Sequence, residues 1–158
     1  MKQTDFKGYL SLLREAGELL EKLTGIQQKK SRAVREDDLE GLNECIRQEQ
    51  ALGLALRGCE QKRAAAQQAL GLEGLGLDAL AERAPAECRA EARRIAEALR
   101  GQYRLYRGAA EVARSTLECN LHQIEKALRD MGAEQPPGAG YAGENPAPPG
   151  PMRTDFRA

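Results

Sequence analysis

AVREDDLEGLNECIRQEQALGLAL, Ala33 to Leu56, decides the fold. A helical pattern stops at Glu36-Asp37-Asp38 and another begins at once. Asp37 is placed to cap the second helix by accepting a hydrogen bond from a free first-turn amide, with Glu40 three residues on at the capping-box position. Leu39, Leu42 and Ile46 then open an apolar stripe at helical spacing. Two long helices separated by almost no loop predict an antiparallel pair.

Upstream, the spacing predicts a helix over 5–34, starting after Thr4 or Asp5, with Phe6, Leu13, Leu20 and Leu23 on one face. Gln27, Lys30 and Ser31 fall where that stripe would continue, so the apolar face weakens toward the junction. Lys29, Lys30, Arg32 and Arg35 read as a solvated helix end beside its own C-terminal dipole rather than as a nucleic-acid contact. Downstream, a helix over 38–70 carries the stripe Leu42, Ile46, Glu49, Leu52, Leu56, Cys59, Arg63, Ala66 and Leu70. Two charged residues sit in that seam. Glu49 and Arg63 either reach out to solvent or leave the seam open for a partner, and solvent is the simpler reading.

Gly71 to Leu77, GLEGLGL, reads as a corner. Asp78 can cap a short helix over 78–83, which Pro85 separates from the next. The longest pattern runs over 86–131 without a proline, and at 1.5 Å per residue it would span roughly 65–70 Å. Fold class follows: all-α, an elongated, coiled-coil-like antiparallel bundle of three long helices, with a short helix between the second and third. Residues 1–131 form the helical part. Residues 132–158, with six of the seven prolines and five glycines, form a flexible tail ending in Asp155-Phe156-Arg157-Ala158. That terminus reads either as a docking peptide or as an inert end.

Composition agrees with long helices: no Trp, two Phe, four Tyr, two Val and four Ile leave little for strands. The 24 basic residues balance 24 acidic ones, so no net charge draws the chain to nucleic acid or to an anionic membrane. Cys45, Cys59, Cys88 and Cys119 form no C-x-x-C pair, and His122 is the lone histidine. Reduced, packed thiols, no metal site, no cofactor and no membrane insertion are expected. No nucleotide loop, metalloprotease helix or nucleophile elbow is present, and no catalytic residues are expected. A helical hairpin without catalytic equipment works by binding.

The segment VREDDLEGLNECIRQEQAL resembles the signature of the FlgN-type flagellar export chaperones. Asp38, Leu39 and Leu42 match its helix junction, and Glu49, Gln50 and Leu52 its "Glu-Gln-x-Leu" element. The order of elements is similar through most of the chain, and the tail is similar at Tyr141 and Asp155-Phe156-Arg157-Ala158. One departure is GQYRLYRGAAEVA, where Tyr103 and Tyr106 stand in place of the family's spaced asparagines. The resemblance implies a cytoplasmic, non-enzymatic chaperone, monomeric or homodimeric. It would bind the C-terminal helices of hook-associated proteins and deliver them to the flagellar type III export gate or ATPase complex. An amphipathic client helix would lie on the long C-terminal helix along Tyr106, Ala110, Ala113, Leu117, Leu121, Ile124 and Leu128, residues that could equally be internal core. Tyr141, Asp155, Phe156 and Arg157 would serve as a tail docking motif. The rival reading is a non-catalytic, self-associating coiled-coil scaffold without an export client.

Overall fold

The structure is a computed structural model and describes residues 2–132. Its elements are helical throughout: α1 (Gln3–Arg35), α2 (Leu39–Ala69), α3 (Leu77–Arg83), a 3-10 turn (Ala86–Cys88) and α4 (Arg89–Asp130). The chain is all-α, as expected. It divides into two compact units, Met1–Gln123 and Ile124–Ala158. The expected docking residues Tyr141, Asp155, Phe156 and Arg157, with the rest of the Pro/Gly-rich segment, lie outside the described residues.

The junction between α1 and α2 is tighter than the sequence pattern suggests. Asp37 does not cap α2. It sits in the left-handed region at φ 53°, where it closes α1. Its N–H donates to Val34 O (3.3 Å) and the Asp38 N–H donates to Ala33 O (2.9 Å), the paired bonds of a Schellman motif. Asp38 is the N-cap instead: its Oδ1 accepts from the Gly41 amide at 2.9 Å. The capping box therefore does not form. Three residues beyond the true cap stands Gly41, which has no carboxylate to reach back. Its bareness has a use, since a Cβ there would overlap the Asp38 carboxylate. Adjacent aspartates thus finish α1 and start α2, so the chain reverses within three positions.

In the first unit α1 is the central helix, with twelve buried residues against three on α2 and four on the whole of α4. α2 runs antiparallel to it, since Gln27 meets Glu49 while Cys59 reaches back to Leu12. α4 runs parallel to it: Arg14 pairs with Glu91, and Leu99 packs 3.8 Å from where a Gly17 Cβ would lie. The apolar stripe of α2 is off by one at its start, where Cys45 is buried and Ile46 is 38 % exposed. The base of the unit holds the main apolar cluster. Phe6, Tyr9, Leu10 and Leu13 of α1 meet Leu72, Leu80, Ala81 and Ala84 from the connection, and Cys88, Ala92 and Ile95 beyond it.

The GLEGLGL segment is thus part of the core rather than a bare corner. Gly71, at φ 69°, closes α2 in a second Schellman motif, with Leu72 N–H donating to Gln67 O at 3.0 Å. This turn swings Leu72 inward, to 2 % exposure. The buried Gln67 side chain then holds the segment by donating to the carbonyls of Leu72 (2.8 Å) and Leu75 (3.2 Å). α3 starts from Gly76, not from Asp78, whose carboxylate accepts instead from Arg100 of α4 at 2.6 Å.

The polar residues of the α1–α2 seam are partly buried and paired within the chain. Glu49 accepts from Gln27 Nε2 and from Lys30 Nζ, both at 2.7 Å. The residues that weaken the α1 stripe are therefore partners of the charge in the α2 stripe. Lys30 is only 13 % exposed and does not belong to a solvated helix end. Arg63 bonds to Glu60 at 3.0 Å and to Gln67 Oε1 at 2.8 Å, which links it to the carbonyls of the connection.

Candidate binding surfaces

α4 is strongly amphipathic in sequence but uneven in burial. Its first half turns the apolar side inward: Ala92, Ile95 and Ala96 are buried, and Ala113 is 1 % exposed. Tyr106, Ala110 and Leu117 are half-buried. Burial raises the Tyr106 phenol above its ordinary range, and the Glu49 carboxylate on α2 and then Tyr103 add to the rise. Tyr106 therefore lies within electrostatic reach of Glu49. Tyr103 is 52 % exposed with the Arg107 guanidinium 5.9 Å from its ring centre. Leu121, also of the first unit, is 56 % exposed.

In the second unit the last turns of α4 are uncovered. Ile124 is 50 %, Leu128 51 % and Met131 80 % exposed, and no residue from 124 to 132 is buried. Ile124, Leu128 and Met131 recur at steps of four and three, which places them on one helix face. The seven residues expected to share a groove thus differ in place. Ala113 is core, Tyr106, Ala110 and Leu117 lie at its margin, and Leu121, Ile124 and Leu128 are on the surface.

A second surface lies along the α1–α4 groove of the first unit. Three clefts tile it, of about 410, 540 and 520 Å³, passing from Leu13 and Ile95 through Ser31 and Ala109 to Asp37 and Gln123. The middle cleft has Leu105 (61 % exposed) and Val112 (54 % exposed) beside Gly108 and Ala109, with Arg32, Arg35 and Arg104 around them. Leu105 and Val112 each adjoin a stripe residue, and their seven-residue spacing is the signal of a second apolar strip that the three- and four-residue steps pass over.

Cys45, Cys59 and Cys88 are buried and Cys119 is exposed, all as free thiols. Among the described residues, no three or more His, Cys, Asp or Glu side chains come together as a metal cluster, and no helix is long and apolar enough to cross a membrane. A family model described as FlgN protein matches residues 1–143. No curated protein and no solved structure matches the chain.

Proposed function

The chain belongs to the FlgN family, a family of flagellar export chaperones, and on that premise we propose that it binds the C-terminal helices of hook-associated proteins in the cytoplasm. Binding would keep those segments from assembling early, and the chaperone would hand them to the export gate or its ATPase complex. One observation carries this reading: α4 ends in an apolar face, Ile124, Leu128 and Met131, that none of the described residues covers. A stripe at that spacing matches the face of an amphipathic client helix, with apolar anchors meeting at i, i+4 and i+7. The proposed contact is placed on Ile124, Leu128 and Met131 of the second unit, while Tyr106, Ala110, Ala113, Leu117 and Leu121 belong to the first. The role needs no catalytic residue.

The test is titration of a hook-associated protein's C-terminal peptide against the full chain by isothermal calorimetry. Micromolar, roughly equimolar binding that weakens at least about tenfold in Ile124→Asp/Leu128→Asp supports the reading. The two side chains are half exposed, so the variant is expected to keep its helicity. Failure of every such peptide to bind, together with a homo-oligomer that the same substitutions dissociate, would favour a self-associating scaffold.

A further inference from the structure

We propose that the middle of the α1–α4 groove is a second docking surface, one that takes an acidic amphipathic helix of a partner protein. It is separate from the exposed end of α4 and does not rest on the client reading. Arg32 and Arg35 from α1 and Arg104 from α4 line one cleft of about 540 Å³, and no carboxylate lines it. All three side chains are exposed, and none forms a salt bridge or hydrogen bond among the described residues. Elsewhere in the unit Arg14 has Glu91, Lys30 has Glu49, Arg63 has Glu60 and Arg100 has Asp78, while Arg94 of the neighbouring cleft stands alone beside Glu18, Glu21 and Glu91. What sets the middle cleft apart is three unpaired guanidinium groups with no carboxylate in its lining.

The floor between them is apolar. Leu105 and Val112 stand seven residues apart on α4 and more than half exposed, with Gly108 between them leaving room for an incoming backbone. Guanidinium groups pair with carboxylates and phosphates alike, but exposed aliphatic side chains gain nothing from phosphate. Charge and floor together fit glutamates flanking a leucine stripe better than nucleic acid. The groove also suits a helix in length, because Thr24 to Arg35 spans about 17 Å of α1, three turns. Polarity changes along it: Glu18 and Glu21 line the neighbouring cleft, so the partner's acidic residues belong at the middle and not at that end.

The probe is a synthetic amphipathic peptide of about 18 residues with leucines at i, i+3, i+4 and i+7 flanked by glutamates, and its twin with lysines in their place. Fluorescence anisotropy with the full chain is expected to show salt-sensitive binding of the acidic peptide alone, reduced roughly tenfold or more in Arg32→Glu/Arg104→Glu and again in Leu105→Asp. Ile124→Asp/Leu128→Asp should bind it unchanged, which separates this surface from the α4 end. Equal binding of the lysine peptide, or indifference to Arg32→Glu/Arg104→Glu, overturns the proposal. So does a DNA duplex that binds more tightly than the peptide through the same arginines, or a self-association that those substitutions abolish.

Discussion

Tyr9 is the residue whose environment is least balanced. Its ring packs against Phe6, with centroids 6.0 Å apart, and the residue is 1 % exposed. Its hydroxyl, though buried, has no hydrogen bond of acceptable geometry among the described residues. The Arg63 guanidinium lies close by and partly offsets the rise in the phenol's pKa, while its well-formed bonds go to Glu60 and Gln67. A buried hydroxyl left unpaired costs about 1–3 kcal/mol, so Tyr9→Phe should leave the melting temperature unchanged or raise it. Alkaline pH provides a sharper check. Burial lifts the Tyr9 phenol above 10.0 and, first among its causes, lifts the Cys59 thiol above 9.0, with Glu15 and Glu60 adding to the latter. Both groups hold their protons more tightly folded than unfolded, so their contribution is complete below the unfolded values and declines as pH rises toward the folded ones. Thermal melts from pH 8 to 11 should therefore fall at the alkaline end, and the fall should be shallower in Tyr9→Phe. An identical slope in both chains would place the alkaline sensitivity elsewhere.

At the scale of elements, the helices were legible because their signals are periodic and redundant. The breaks at Glu36–Asp38 and at Gly71 bracket α2 in the sequence and in the structure alike. Which of two adjacent aspartates caps was not legible. Either can accept a first-turn hydrogen bond, and the choice falls on Asp38 because Asp37 is needed in the left-handed position that ends α1. The inward role of Leu72 was hidden for a related reason: glycines suggest a turn, but not which neighbour the turn buries. The seam polars were misread because spacing names a face without naming partners, and Glu49 meets Gln27 and Lys30 only once α2 folds back. The cap assignment makes a paired prediction. Asp38→Ala removes the bond to Gly41 and should cost about 1 kcal/mol. Asp37→Gly, which relieves a non-glycine residue of its positive φ, should be neutral or stabilising by up to roughly 1 kcal/mol. Urea titration of the two variants reads the difference; a larger loss from Asp37→Gly would return the cap to Asp37.

Taken as a whole, the chain keeps its stabilising contacts and the proposed client face in different places. Every buried residue among those described lies between Phe6 and Ala113, and the cluster at the base, the Glu49 lock and the Gln67 staple all belong to the first unit. The described turns of the second unit bury nothing, although the apolar stripe of α4 continues through Ile124 and Leu128. This is also why the candidate site was only partly legible. One continuous stripe runs through the sequence of α4, but burial depends on whether α1 and α2 lie beneath each position, and periodicity carries no record of that. A chain ending at Gln123 should consequently melt close to the full-length protein. A change of 1 kcal/mol would move the midpoint by about 4 °C for a unit of this size, so a shift under about 2 °C is expected by circular dichroism. The same truncated chain should lose the hook-associated peptide, because it lacks Ile124, Leu128 and Met131, yet retain the acidic helix held by Arg32, Arg35 and Arg104. Folding without client binding, in a chain that still docks the acidic peptide, is the combination that assigns the two surfaces to separate tasks. Loss of folding on truncation would mean that the exposed end of α4 supports the bundle, and its apolar residues would then need no client to explain them.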